Sequence, residues 1–225
     1  MVSEPQGASG AAPDLGFILV STPQLRALVG QQQKLLAQDE FADLIANIRA
    51  AFDKFTSKLK SVAAGVDRAV ILHLLIDREL QAAAHLPVSC QKGCAACCHY
   101  EVEITSDEAV LLRELVNAGI VVDELRLGLQ AERERKSPAW QKVMSPDNRC
   151  VFLAEDGACK VYEHRPSICR KHLVTSAPSA CSNPGPEVTP VQILLAEIVL
   201  SAALSLEGSS TGSLPRMLRN ALQGA

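Results

Sequence analysis

Four cysteines crowd one short run of this chain, Cys90-x3-Cys94-x2-Cys97-Cys98, and four more follow at Cys150, Cys159, Cys169 and Cys181. Thiolates are soft ligands. Short intervals around glycine and alanine let several of them converge on one centre, as in zinc and iron–sulfur sites. Buried cysteines also serve as small apolar side chains, but packing alone rarely clusters eight of them, so metal binding is the stronger reading. Cys181 is the weakest member of the set. Eight thiolates could fill two zinc sites of four. A [4Fe–4S] cluster takes three ligands close in sequence and one distant, which the grouping Cys90, Cys94 and Cys97 plus a remote fourth would satisfy. Softness admits both metals, so the expected cofactor is an iron–sulfur cluster, [4Fe–4S] by this grouping, or zinc.

Cys94, Cys97 and Cys98 stand at i, i+3 and i+4 and would share one face of a helical turn. Adjacent cysteines strain to reach a single ion, so one of Cys97 and Cys98 is expected to serve a second centre or to pack as a thiol. The number of centres stays open. Arg165, Arg170 and Lys171 flank Cys169. Arg165 and Arg170 are expected to direct guanidinium N–H groups at the negative centre and so tune it; the plainer alternative leaves Arg165 on the surface ahead of a helix starting at Pro166. His99, His164 and His172 are lower-ranked candidate ligands, because a histidine near cysteines more often stands beside a ligand than acts as one. His73 sits in an apolar stretch and reads as a core histidine. Glu101 and Glu103 read as the wet face of a strand. No residue is assigned a catalytic role.

The elements that must hold these residues are mostly helical. Thr22 and Pro23 are cap and first-turn residues. Phe41, Ile45, Ile48, Phe52, Phe55 and Leu59 recur at steps of four and three, which draws an apolar seam along a helix. Gly65 predicts a break and Asp67 a second helix, apolar nearly all round over 69–76, so that 22–86 should form an antiparallel helical hairpin. Tyr100, Val102 and Ile104 alternate with acids and predict a short strand. Thr105-Ser106-Asp107-Glu108 is a capping box opening a helix that Gly119 closes. Helices are expected over 123–136 and around Trp140. A small β-hairpin is expected where residues 151–153 and 159–162 flank Glu155-Asp156-Gly157. An apolar helix at 191–206 and a cationic one at 214–222 end the chain. The expected organisation is a disordered tail at 1–21, the hairpin at 22–86, a cysteine-rich metal-binding region at 87–190, and C-terminal helices at 191–225 packing on the same domain. The fold class is mostly α, with a small β-hairpin in the cysteine-rich region.

Composition excludes some functions. A net charge of -3 and 4% aromatic residues argue against a nucleic-acid partner. The most apolar stretch, 191–206, is short and interrupted by Glu197, so no transmembrane segment is expected. The N-terminus lacks the pattern of a secretory signal. A soluble, cytoplasmic protein is expected, in which clustered thiols are metal ligands rather than disulfides.

Cys90-x3-Cys94-x2-Cys97-Cys98, Cys150-Val151-Phe152-Leu153, Cys159-Lys160-Val161-Tyr162 and Arg165-Pro166-x2-Cys169-Arg170 together resemble the YkgJ-type cysteine-cluster family of zinc- or iron-chelating domains. The resemblance covers about residues 88–181. It departs in having three residues between the first two cysteines, where many members have two, and Val151 where proline is common. It implies metal binding and assigns no reaction, which favours a redox or metal-handling protein. Two alternatives remain. Cys90-x3-Cys94-x2-Cys97 also has the spacing of the radical S-adenosylmethionine motif, and flagellin lysine N-methylases carry a related cluster. Ala96 stands where that motif has an aromatic, however, and the chain shows no alternating strand–helix pattern of a barrel. The other alternative is a zinc-stabilised interaction module that binds a protein partner through the helical hairpin. A nucleophilic cysteine beside His99 ranks last.

Overall fold

Thr22 caps helix α2 (Pro23–Gln32), its hydroxyl accepting from the Leu25 N–H, as its sequence position requires. The computed structural model describes residues 14–141, 144–182 and 187–224. Residues 1–13 of the expected tail lie outside that range. From Asp14 onward the expectation of disorder fails. Helix α1 (Gly16–Leu19) inserts Phe17 and Ile18 into the core, where Phe17 meets Phe52 with ring centroids 5.2 Å apart. An apolar run, Phe17-Ile18-Leu19-Val20, was the signal for this, and it burdens a solvated tail with surface that water disfavours.

The seam from Phe41 to Leu59 becomes the buried face of α3 (Gln38–Lys60). Each such side chain contributes about 1.5–3 kcal/mol on full burial. Helix α4 (Val66–Ala82) follows, burying Ala69, Leu72, His73, Leu75 and Ile76 while Leu74 stays exposed. The expected two-helix hairpin is modified by α8 (Leu194–Leu204), which packs along both α3 and α4 more extensively than these meet each other. Its apolar surface on all sides suits a central helix. The seam is therefore spent inside the molecule, on α8 and its neighbours, and is not an open face for a partner.

Gly65 joins α3 to α4 at φ 90° and ψ -130°, a conformation closed to side-chain-bearing residues, and an added Cβ would lie 3.3 Å from Val110 Cγ1. Gly65→Ala should cost about 1–3 kcal/mol, read as a lower urea midpoint with unchanged slope.

A second core gathers around α5 (Ser106–Asn117), α6 (Glu124–Ala131) and the C-terminal helix α9 (Leu214–Leu222). The capping box forms as expected: Thr105 Oγ1 accepts from Glu108 N, and Glu108 Oε2 accepts from Thr105 N at 2.8 Å. Helix α6 ends at Ala131 rather than Lys136. Lys136 turns to φ 58° and gives its N–H to Glu101 at 2.8 Å, a tertiary bond that replaces the helical one. The expected strand shortens to β1 (Glu103–Thr105), which pairs antiparallel with β4 (Thr211–Ser213). The other pair is β2 (Leu173–Val174) with β3 (Pro190–Val191). The predicted hairpin at 151–162 reduces to a tight turn with a single bridge between Leu153 and Cys159. Trp140 is buried on a 3-10 turn, as expected. Among the described residues no helix is long and apolar enough to cross a membrane.

Candidate metal centre

The cysteines sit on loops and single turns held between these two cores. Cys90 to Cys94 form a turn closed by Cys94 N–H to Gln91 O at 3.0 Å, followed by a 3-10 turn, Ala96–His99, carrying Cys97 and Cys98. Cys94 thus precedes the turn rather than sharing one helical face with the other two. Cys150 N donates to Cys98 O at 2.8 Å, which ties the second set of cysteines to the first. The Gly157 turn supports the same junction: an added Cβ there would lie 3.6 Å from the Ala95 Cβ. Cys169 lies on α7 (Ser167–Lys171).

Two ion pairs fix α7 on the helical scaffold, that of Lys171 with Glu197 buried and that of Arg170 with Asp77 half-exposed. Arg170 Nη1 meets Asp77 of α4 at 2.6 Å, and Lys171 Nζ meets Glu197 of α8 at 2.6 Å. Glu197, the charge that interrupts the apolar C-terminal run, also accepts from the Thr22 hydroxyl at 3.0 Å. Arg170 spends its remaining donors on the carbonyls of Arg165 and Glu163. In this arrangement Arg170 braces α7. Arg165 does face them. Its guanidinium stacks on Tyr162 at 4.4 Å, and its charge favours the thiolates of Cys97 and Cys159.

Neighbouring thiols raise one another's pKa. Cys97 is held far above the usual thiol range, first by its hydrogen bond to Cys98, then by burial and the Cys98 charge. Burial and then Cys159 and Cys97 push Cys150 up to about 11, with the Phe152 N–H opposing them. Burial, Cys150, Cys97 and Cys159 raise Cys169 well above the thiol range. Cys181 is raised by burial and by Cys90, Cys97 and Cys94. Such thiols stay protonated and pack as small apolar groups until a cation offsets their charge.

All eight expected ligands are thus brought into one region. They are not drawn together at coordinating distance: among the described residues, no three His, Cys, Asp or Glu side chains are placed to hold an ion as they stand. The donors around the sulfurs fit a thiolate-bound group nonetheless. The Arg165 charge stands by Cys97 and Cys159. Cys90 receives the Val174 N–H at 3.4 Å. Amide donors aimed at sulfur stabilise metal-bound thiolates and tune iron–sulfur potentials.

The histidines separate clearly. His99 is buried, with Nδ1 3.3 Å from Ala95 O. His172 stands edge-on to Tyr100 at 5.8 Å, and its buried Nε2 meets no hydrogen-bond partner. Tyr100 in turn donates to Cys181 O at 2.6 Å. His73 is the expected core histidine, with Nε2 3.1 Å from Glu108 Oε1. Glu103 contacts Arg135 and Thr211 at the exposed edge of β1, and Glu101 caps Lys136, in line with a strand's wet face.

Fold and site define a mostly helical protein that carries a thiol-rich region braced by two ion pairs. Residues 89–183 match the model of the CxxCxxCC family, described as a putative zinc- or iron-chelating domain. That match covers the cysteine-rich part of the chain and agrees with the resemblance expected from its motifs. No curated protein and no solved structure matches the chain.

Proposed function

We propose that the protein binds an iron–sulfur cluster or zinc through its cysteines and serves in redox chemistry or metal handling. The observation that carries this reading is the gathering of eight free thiols in one region, with the Val174 N–H on Cys90 at 3.4 Å and the Arg165 charge beside Cys97 and Cys159. A packed thiol needs no such donor, whereas a thiolate sharing negative charge with a metal gains from each one. When bound, the group supplies either electron transfer or exchangeable metal. The chain's own part is to place Arg165 beside Cys97 and Cys159 and to hold α7 in register through Asp77 and Glu197. The two-stranded antiparallel sheets supply no parallel barrel of the kind the methylase alternative needs, and metal binding alone requires fewer further parts.

Metal and sulfide analysis on protein purified without oxygen tests the proposal. Iron with acid-labile sulfide and broad visible absorption would support the redox form. Stoichiometric zinc in colourless protein would support metal handling. Metal-free protein that takes up neither iron nor zinc would overturn both.

A further inference from the structure

We propose that α6 and the loop running from Cys150 to Lys160 form a docking surface for an acidic, amphipathic segment of a partner protein. The surface goes beyond the metal-binding reading and does not depend on which metal the thiols hold.

Exposed apolar side chains mark it. Helix α6 buries Leu127 and Ala131 but leaves Leu125 76% and Leu129 63% exposed, one turn apart on one face. Val121, just ahead of the helix, is 70% exposed. A scattered exposed leucine needs no explanation, but these residues border two joined depressions, and apolar groups gathered at a concave surface mark interaction sites. The smaller depression, of about 220 Å³, has Leu125, Leu129, Arg126, Arg133 and Pro146 on its walls. The larger, of about 600 Å³, shares Arg126 and Pro146 with it and adds Val151, Leu153, Arg149 and Lys160. Leu153 is bridged to Cys159, so a segment docked here lies against the outer side of the loop between Cys150 and Cys159.

Charge selects the occupant. Of the cations on these walls, Arg126 is paired with Asp123. Arg149 donates to the carbonyls of Leu153 and Ala154, and Lys160 to the Val121 carbonyl at 3.0 Å. Arg133 donates to Asn148 Oδ1 at 2.7 Å and stacks on Trp140 at 4.9 Å. These neutral partners fix where Arg133, Arg149 and Lys160 sit and leave their charge unmet: among the described residues no carboxylate forms an ion pair with any of them. Fixed arginines set among exposed apolar groups are what protein interfaces favour. Asp147 and Glu155 stand on the same walls. They would repel a uniformly anionic lipid surface. A peptide segment can set its acids against the three cations, place neutral residues against Asp147 and Glu155, and lay its apolar face on Leu125 and Leu129, as in helix-in-groove recognition.

The probe is a labelled peptide of about 14 residues, close to four helical turns, with leucines on one helical face and glutamates elsewhere. It is titrated against the full chain at low salt. Wild type should bind it, and binding should weaken as salt screens the charges. Lys160→Glu and Leu125→Ser/Leu129→Ser alter exposed side chains only, and each should weaken binding about tenfold or more, as loss of an interface anchor does. Arg149→Gln should weaken it as well; if loss of its bonds to Leu153 and Ala154 disturbs the turn, Lys160→Glu still decides. The same peptide with glutamine for glutamate should bind at least about tenfold more weakly. No binding by wild type overturns the proposal, and so does binding that either exposed variant, or the glutamine peptide, leaves unchanged. Vesicles of mixed anionic and zwitterionic lipid should not bind the chain; vesicle binding lost in the same variants would assign the surface to a membrane instead. None of these outcomes bears on whether the thiols hold metal.

Discussion

Stripping the metal from the full chain with a chelator and a reductant should unfold the cysteine-bearing loops, residues 88–102 and 145–182, well before the helices. The expected loss is on the order of 5 kcal/mol or more, given that structural zinc contributes about 10–16 kcal/mol in small metal-folded domains. Little else holds these loops. Their regular structure amounts to single 3-10 turns, the five-residue α7 and a two-residue strand pair. The apolar cluster next to Cys90 and Cys181 has only Ala96, Val174 and Val188 besides them. By contrast α3, α4 and α8 share a large core of their own that contains no cysteine. Amide hydrogen exchange on metal-loaded and stripped protein reads the difference. Amides such as Cys98, Cys150 and Val174 should lose protection on stripping, and those in the middle of α3 and α8 should keep it. Uniform loss along the chain would mean that the thiol region and the helical core unfold as one cooperative unit. Unchanged protection would mean that the thiols, protonated and packed, suffice by themselves.

What could be read from sequence was whatever repeats or caps locally. The seam on α3, the caps at Thr22 and Thr105 and the break at Gly65 each depend on residues within about one turn of chain, and each formed. The failures are all long-range. Helix α6 stops at Ala131 because Glu101, thirty-five positions back, takes the Lys136 N–H. Nothing local announces that β1 pairs with β4, or that α8 inserts beside α3 and α4. The cysteines show the same split. Their clustering was legible from spacing, but which core each loop packs against was not, since Cys90 and Cys181 pack in one cluster and Cys150 and Cys159 on another. Arg170 is the sharpest case. Placed beside Cys169, it read as a partner of the sulfurs, and the acid that claims it, Asp77, lies on a helix ninety-three residues away.

Removing the Glu108 carboxylate should be the most damaging single change outside the cysteines. Glu108 was legible only as the last residue of a capping box. In the structure it is 2% exposed and also joins three segments. It accepts from Thr105 N at 2.8 Å and from the Thr105 hydroxyl at 3.1 Å, meets His73 of α4 at 3.1 Å, and accepts from Ser167 N of α7 at 2.6 Å. Glu108→Ala would strand these donors in a dry site, at about 3–5 kcal/mol for a broken buried pair. Glu108→Gln keeps the shape and should cost less. Burial raises this carboxyl's pKa, but the hydrogen bond and charge of His73, with the Ser167 and Thr105 N–H groups, outweigh it and hold the pKa below the ordinary value. The folded pKa being lowered, the stabilisation is fully present above the unfolded carboxyl value of about 4.3 and is lost as pH falls through the folded one. Urea midpoints at pH 7 should therefore separate wild type from Glu108→Gln, and the gap should narrow steadily below about pH 4. A gap that is the same at both ends of that range would show that Glu108 acts through shape alone. A cost under about 1 kcal/mol for Glu108→Ala would show that water enters to satisfy the stranded donors, and that α4, α5 and α7 are held together chiefly by the Arg170–Asp77 and Lys171–Glu197 pairs.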